Sequence, residues 1–175
     1  MEIFEISGFA QHGKDSLADF MIDILSSSEK KCLKIKFGDY LKFVASNYHN
    51  WDGKKDARGR ELLQKLGTEI ARDNHPDIWV NVVIEFLSAF KSQYDFIFIP
   101  DCRYENEILK IKESGYRTTN IWINRPNFDN GLTKEQKSHR SETSLLDYPF
   151  EKIVINDGNL EDLLLKSKNL LHSLL

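Results

Sequence analysis

The nine residues Gly8-Phe9-Ala10-Gln11-His12-Gly13-Lys14-Asp15-Ser16 place two glycines, a lysine and a hydroxyl at a spacing that suits an anion. Glycine at both ends lets a backbone curl until its N–H groups point inward at one centre. Lys14, expected to face solvent, then supplies a mobile point charge for phosphate groups. In the strict form of this pattern a Ser or Thr follows the lysine directly, and its hydroxyl meets Mg²⁺. Here Asp15 holds that position and Ser16 comes one residue later, so the hydroxyl is displaced. The bland alternative is a strand-to-helix turn that binds nothing; the strand–loop–helix context and the Gly-Lys pair favour phosphate. His12 reads as a side chain that satisfies backbone groups.

Asp101 is the second candidate. It follows Phe96-Ile97-Phe98-Ile99-Pro100, whose continuous apolar run predicts a central strand buried on both faces. A carboxylate at the C-terminal end of such a strand lies where open α/β sheets bind ligands. It can hold Mg²⁺ through the ion's water shell. Capping of the following helix is the plain alternative. Arg103, two residues on, tips the reading toward function because it could stabilise a transferring phosphoryl group. Glu105, Asn106 and Glu107 read as decoration of a helix start.

Arg60, Gln64, Thr68 and Arg72 recur every four residues on a helix predicted for 56–73, opposite Leu62, Leu63, Leu66 and Ile70. Guanidinium groups match phosphate oxygens bidentately. Spacing alone, however, reads as a solvated face with Arg72 paired to Glu69. Asp39 is balanced between a substrate contact and a helix cap. Trp79 belongs by default to a core stripe with Val82, Val83, Phe86 and Phe90. Its neighbour Asp77 points away from that stripe and is the better candidate for reading a base or sugar.

The elements that must carry these residues alternate. Strand-like runs at 2–7, 32–37, 95–100, 118–124 and 152–156 are interleaved with helical patterns from Lys14, over 56–73, after Pro76, from about Tyr104 to Gly115 and from about Asn159. That alternation favours an α/β sheet built from crossover units. Arg125 to Pro149 is the exception, a polar, basic stretch with turn formers and no sustained apolar face. Loops of this length are usually functional or disordered.

Composition closes off other classes. The 175 residues are 41% hydrophobic and 29% charged, ordinary for one folded domain. A net charge of -3 argues against a protein that wraps a nucleic acid polymer. Cys32 and Cys102 are the only cysteines and indicate neither a disulfide framework nor a metal site. Met1-Glu2-Ile3-Phe4 lacks the basic and apolar regions of a signal peptide. The apolar stretch Ile78 to Phe90 is too short and too polar to span a bilayer. The expectation is a cytoplasmic protein without membrane contact.

Several of these pieces, taken in order, resemble the phage-type deoxynucleoside monophosphate kinases within the P-loop nucleotide kinases. They are Gly13-Lys14-Asp15-Ser16, Phe37-Gly38-Asp39-Tyr40-Leu41-Lys42, Arg60-Glu61-Leu62-Leu63-Gln64 with Leu66-Gly67-Thr68-Glu69, Arg72 with Asp77-Ile78-Trp79-Val80, Asp101-Cys102-Arg103-Tyr104-Glu105-Asn106-Glu107 and His139-Arg140-Ser141-Glu142. Nucleoside monophosphate kinases often carry an inserted-looking residue after the loop lysine, as here. Tyr40 stands where the family often has proline, and Cys102-Arg103-Tyr104 where valine, arginine and phenylalanine are more usual.

The resemblance implies a single P-loop kinase-like domain over 1–175, three-layered, with a mostly parallel central sheet flanked by helices. It implies an acceptor-binding helical region at about 38–90 and a lid at about 125–149. The implied activity moves the ATP γ-phosphate to a deoxynucleoside monophosphate, giving dNDP and ADP with Mg²⁺, in a host's cytoplasm if the chain is phage-encoded. Lys14, Asp101, Arg103 and Arg125 would be catalytic, and Gly8, Gln11, His12, Gly13, Lys14, Asp15 and Ser16 would hold ATP. Asp39, Lys42, Arg60, Gln64, Thr68, Arg72, Asp77, Trp79, Arg140 and Glu142 would hold the acceptor, and Ser16 and Asp101 the metal. Arg125, Lys134, Lys137 and Arg140 would close from the lid. Two other readings stay open: a P-loop kinase for another small phosphorylated metabolite, and a non-catalytic nucleotide-binding protein. The oligomeric state is also open, a homodimer included.

Overall fold

Six residues with apolar side chains on both faces, Glu2–Ser7, form strand β1 in the middle of a five-stranded sheet. The computed structural model describes residues 1–175. In chain order the elements after β1 are α1 (Lys14–Ser26), β2 (Cys32–Lys34), α2 (Gly38–Tyr48), α3 (Ala57–Gln64) continuing into a π-helical segment (Lys65–Arg72), and α4 (Ile78–Phe90). There follow β3 (Phe96–Cys102), α5 (Glu105–Glu113), β4 (Arg117–Asn124), α6 (Lys134–Ser138), α7 (Arg140–Thr143), β5 (Lys152–Ile155) and α8 (Leu160–Leu174).

The strands lie in the order β2-β3-β1-β4-β5, and every pairing is parallel. Parallel neighbours need long crossovers, and the helices supply them. On one face α1 and α8 pack Leu17, Met21, Leu163 and Leu171 against Phe4, Ile6, Phe98, Ile121 and Ile123. On the other face α4 and α5 pack Val80, Val83, Leu87, Ile108 and Ile111 against Ile3, Ile97 and Ile99. The α/β sheet is the one that the alternating pattern predicts, and the helical layers on its two faces are those that the resemblance implies. No helix is long and apolar enough to cross a membrane.

The order of strands reverses beside β1: β3 returns between β1 and the edge strand β2, whereas β4 leaves on the other side. Ligands of open α/β sheets bind outside the carboxyl ends of strands at such a reversal. There β3 carries a bulge, since Glu5 pairs with Ile99 but Ser7 pairs with Cys102. Pro100 has no N–H to give the ladder, and a proline in a central strand is tolerated only at such an irregularity. The extra residue re-aims Asp101 out of the sheet.

Three expectations about local structure need correction. Pairing of β2 covers only Cys32–Lys34, followed by one further bond from Ile35 N–H to the Phe98 carbonyl (3.0 Å). The helix expected over 56–73 changes register, with the Asp73 N–H reaching back five residues to the Thr68 carbonyl (3.0 Å). Wider turns bring Leu63, Gly67, Thr68 and Arg72 to one side and leave Ile70 half exposed, so the expected apolar face is rotated. On α4 the buried residues are Trp79, Val80, Val83 and Leu87, whereas Val82 and Phe90 are exposed. Phe86 and Phe90 stack on each other instead, with ring centroids 4.6 Å apart.

The core also holds a carboxyl group without a partner. Glu5 is wholly buried on β1, and neither carboxyl oxygen has a hydrogen-bond partner in the chain. Burial, with Glu107 and Glu151 adding, pushes its pKa up from 4.5 to about 9. A raised carboxyl pKa means that between those values the folded state holds a proton the unfolded chain has lost. Stability therefore falls as pH rises across that window. Glu5→Gln removes the ionisation and is expected to raise stability at pH 7 by about 2–3 kcal/mol, with little change at pH 4. Urea unfolding at both pH values measures this; equal shifts at the two would contradict it.

Candidate active site

The loop after β1 is shaped by what cannot fit. Gly8 has φ +147°, and a Cβ there would lie 2.3 Å from the Ile123 carbonyl oxygen of β4. Gly13 has φ +103°, and a Cβ there would lie 2.8 Å from Asn156 Nδ2. That amide instead donates to the His12 carbonyl (3.0 Å), fixing the loop to the end of β5. His12 Nδ1 accepts the Arg125 N–H at 2.9 Å, a bond that satisfies backbone. Burial and the nearby Lys14 lower the His12 pKa.

Lys14 is not solvent-facing, contrary to expectation. It is only 7% exposed, and Nζ donates to the Gly8 and Phe9 carbonyls at 2.7 Å each. Burial, then the charge of Arg103, pulls its pKa down to about 7.

Beside the loop opens a cavity of about 410 Å³. Of the residues singled out from sequence, Gln11, Lys14, Asp15, Lys42, Arg60, Gln64, Thr68, Arg72, Trp79, Asp101, Arg103 and Glu142 line it. At its floor Asp101 accepts the Phe37 N–H (3.0 Å) and the Gly38 N–H (2.9 Å). It caps the start of α2, not the helix that follows it in sequence. Burial raises its pKa, opposed by those two amides.

One wall is a buried ion pair. Arg72 pairs with Glu107 and not with Glu69, and its guanidinium lies 4.1 Å over the Tyr104 ring. The Tyr104 hydroxyl meets Thr68 Oγ1 at 3.0 Å. Glu107, only 1% exposed, also accepts the N–H groups of Arg103 (2.6 Å) and Tyr104 (3.1 Å). Burial pushes its pKa up to about 7 in spite of Arg72. Glu107 does serve the helix start, accepting the N–H of the N-cap residue Tyr104, and it also holds the wall in place. Trp79 is in the core as expected; its Nε1 donates to the Gly67 carbonyl (3.0 Å), with one edge on the cavity.

The opposite wall is basic. Lys36 pairs with Asp15 and Lys42 with Asp39 (2.8 Å), whereas Lys55 and Arg60 are in no ion pair. Burial and then the charges of Lys42 and Lys36 lower the Lys55 pKa. Sequence reasoning missed Lys36 and Lys55. Lys36 reads as the outer residue of a half-exposed strand, and Lys55 lies in a polar stretch without periodicity.

A second cavity, about 340 Å³, opens on the other side of the loop. His12, Arg125 and Glu142 line it with Phe9, Phe128 and Lys137. The Arg125 guanidinium sits 4.1 Å from the Phe128 ring centroid, in this cavity and not the first.

Residues 125–149 are seated on the loop. Leu132 and Leu145 are buried, and α6 and α7 form within the stretch. Gln11 Nε2 donates to the Asn130 carbonyl (3.0 Å), and Glu142 accepts the Ala10 N–H (3.1 Å). Gly8, Gly13, Ser16, Asp39, Asp77 and Arg140 line neither cavity. Ser16 lies half-buried on α1. Asp77 turns to α5, accepting from Asn106 (2.8 Å) and pairing with Lys110 (3.0 Å). Arg140 pairs with Asp73. No group of three or more His, Cys, Asp or Glu is placed to hold a metal ion.

The Arg72 and Glu107 pair makes a stability prediction. Arg72→Ala strands a buried carboxylate and is expected to cost on the order of 3–5 kcal/mol. Combining it with Glu107→Gln should restore more than half of that loss in urea unfolding. A cost within about 0.5 kcal/mol for the single variant would return Arg72 to a solvated face.

Three comparisons bear on this geometry. The model of the family described as deoxynucleotide monophosphate kinase matches residues 21–167. The deoxynucleotide monophosphate kinase of Enterobacteria phage T4 is 32% identical over 114 residues, covering 64% of this chain and 44% of that protein. The match thus spans less than half of that relative's length. A gluconokinase from Sinorhizobium meliloti 1021 superposes with a TM-score of 0.58 at 14% identity, covering 99% of this chain and 93% of the other. Shikimate kinase from Aquifex aeolicus does so with 0.52 at 15% identity, covering 99% and 96%. At those identities the two structures show a shared P-loop kinase fold. The family match covers most of the chain, and the chain belongs to the deoxynucleotide monophosphate kinase family.

Proposed function

We propose that the protein transfers the γ-phosphate of ATP to a deoxynucleoside monophosphate, giving dNDP and ADP. The observation that carries this reading is the 410 Å³ cavity itself, lined both by the Lys14 loop with Asp101 and by Lys55 and Arg60, which are in no ion pair. That lining suits two phosphorylated ligands brought together. Acceptor specificity for a deoxynucleotide rests on the family.

Phosphoryl transfer needs positioning and charge neutralisation more than covalent chemistry. An oxygen of the acceptor phosphate, already ionised, attacks the γ-phosphorus; the bond to the bridging oxygen of ADP breaks in line with it. No general base is required. Lys14, swung from the Gly8 and Phe9 carbonyls on its flexible stem, would neutralise the donor phosphates with the loop amides. Arg103 would meet the charge on the moving group. Arg60, Lys55 and Lys42 would hold the acceptor phosphate. Phe9, Phe128 and Arg125 offer flat aromatic and cationic surfaces for the donor base in the second cavity. Gln64, Thr68 and the edge of Trp79 remain for the acceptor nucleoside.

Mg²⁺ fits this site in one way only. Both Asp101 oxygens already accept a backbone N–H, and the Ser16 hydroxyl lies outside the cavity. The remaining lone pairs of Asp101 would therefore hold waters of an ion bound mainly by substrate phosphates, as Mg²⁺ commonly is. The ion would neutralise phosphate charge.

ADP formation from ATP and Mg²⁺, measured against a panel of dNMPs, NMPs and other small phosphorylated metabolites, tests the reading. Turnover with at least one dNMP is expected; turnover with none would sink it. Lys14→Met keeps the buried stem and removes the charge. It is expected to lower kcat by on the order of 10²–10³ with the fold retained. Near wild-type kcat would remove Lys14 from the mechanism. Arg60→Ala is expected to raise the acceptor KM by roughly 10- to 100-fold, from a lost charged contact of about 1.5–3 kcal/mol, and to leave the ATP KM nearly unchanged. Equal weakening of both substrates would place Arg60 elsewhere than the acceptor side.

A further inference from the structure

One of the bonds that tie residues 125–149 to the loop is made by an anion. Glu142, its side chain 7% exposed, gives one carboxylate oxygen to the Ala10 N–H at 3.1 Å and the other to the Arg103 guanidinium. Arg103 also donates to the Ser141 carbonyl (3.1 Å). Ala10 lies in the glycine-bounded loop whose amides are the natural ligands of a phosphate, and Glu142 lines both cavities. Glu142 therefore borders both cavities beside the loop amides.

A carboxylate and a phosphate oxygen want the same partners here, an amide N–H and a guanidinium, each bond strengthened by charge. They cannot share them, because two anions in contact repel. Lys14 reinforces the arrangement, since its ammonium is engaged with the carbonyls of the same loop.

We propose that Glu142 is an internal competitor for the donor phosphates: its carboxylate holds the Ala10 amide and Arg103 until a phosphate replaces it. The proposal rests on the loop being the donor phosphate site. Replacement exchanges one set of charge-assisted bonds for another, so a modest difference in affinity suffices to drive it. It also delivers Arg103 to the phosphates at the moment they arrive. The lid segment loses its Glu142 bond but stays tethered through Gln11 with Asn130 and His12 with Arg125. Competition of this kind raises the apparent Kd, which is the intrinsic Kd divided by the fraction of time the carboxylate is away.

Inorganic tripolyphosphate is the probe, because it carries the donor's phosphates without base, sugar or acceptor. Its Kd is measured by calorimetry for the wild type, Glu142→Gln and Glu142→Asp. The proposal expects tripolyphosphate to bind about fivefold tighter to E142Q and at least about twofold tighter to E142D, whose charge remains but whose reach is shorter. Tightening in E142Q alone would be a field effect at a distance and would overturn the proposal. Unchanged or weaker binding in both would overturn it too, leaving Glu142 as a group that only orients Arg103. No binding to any of the three proteins would overturn both the competitor and the loop reading. If dNMPs prove not to be the acceptor, the acceptor panel shows it and this titration keeps its meaning.

Discussion

Everything in the site is built around the approach of Gly8 to the Ile123 carbonyl. A single added carbon would lie 2.3 Å from that oxygen, so only glycine lets the chain leave β1 along β4 and curl into the loop. From that point the loop position is fixed, and with it the start of α1 and the direction of Lys14. The neighbouring strand answers with a second irregularity. Pro100 breaks the β1–β3 register, and the resulting bulge aims Asp101 at the amides of Phe37 and Gly38. One backbone constraint on each of two adjacent strands thus positions Lys14 and Asp101, which both line the cavity.

Charges around this cavity are answered locally. Lys36 meets Asp15, Lys42 meets Asp39, Arg72 meets Glu107 and Arg103 meets Glu142. Lys14 is held by two loop carbonyls, which leaves Lys55 and Arg60 as neighbouring cations of the cavity with no partner. A chain with net charge -3 can therefore still present a small anion with an attractive pocket. The paired arginines are held with their side chains ordered, so less conformational entropy remains to be lost when a ligand arrives.

Local signals carried much of this to the reader of the sequence, and non-local ones did not. The loop, the buried run Phe96-Ile97-Phe98-Ile99 and the start of the last helix near Asn159 depend on neighbours within a few residues, and each is where its pattern places it. The partner of Arg72 could not be read the same way. Spacing offers Glu69 three residues back, whereas the pair is made with Glu107 on another helix, 35 residues away. The π-helical register was hidden for a related reason: the segment meets Leu41 of α2 and Trp79 of α4 at Gly67, far apart in sequence, and an α-helical wheel puts Ile70 on the wrong side. Lys55 carries no pattern at all, and only the folded chain brings it beside Lys42 and Arg60. Residues 125–149 read as a loose lid because Leu132 and Leu145 are isolated in polar sequence. Two anchors suffice when the surface beneath is already formed.

The account holds that donor and acceptor meet end to end, one on each side of the loop. Calorimetric titration with adenosine joined to a deoxynucleoside through five phosphates, in the presence of Mg²⁺, tests this most directly. A linked ligand that spans both cavities turns the second contact into an intramolecular one. The account predicts one ligand per chain and affinity at least about 100-fold above that for ATP alone. Affinity no better than ATP, with ATP itself bound, would contradict it.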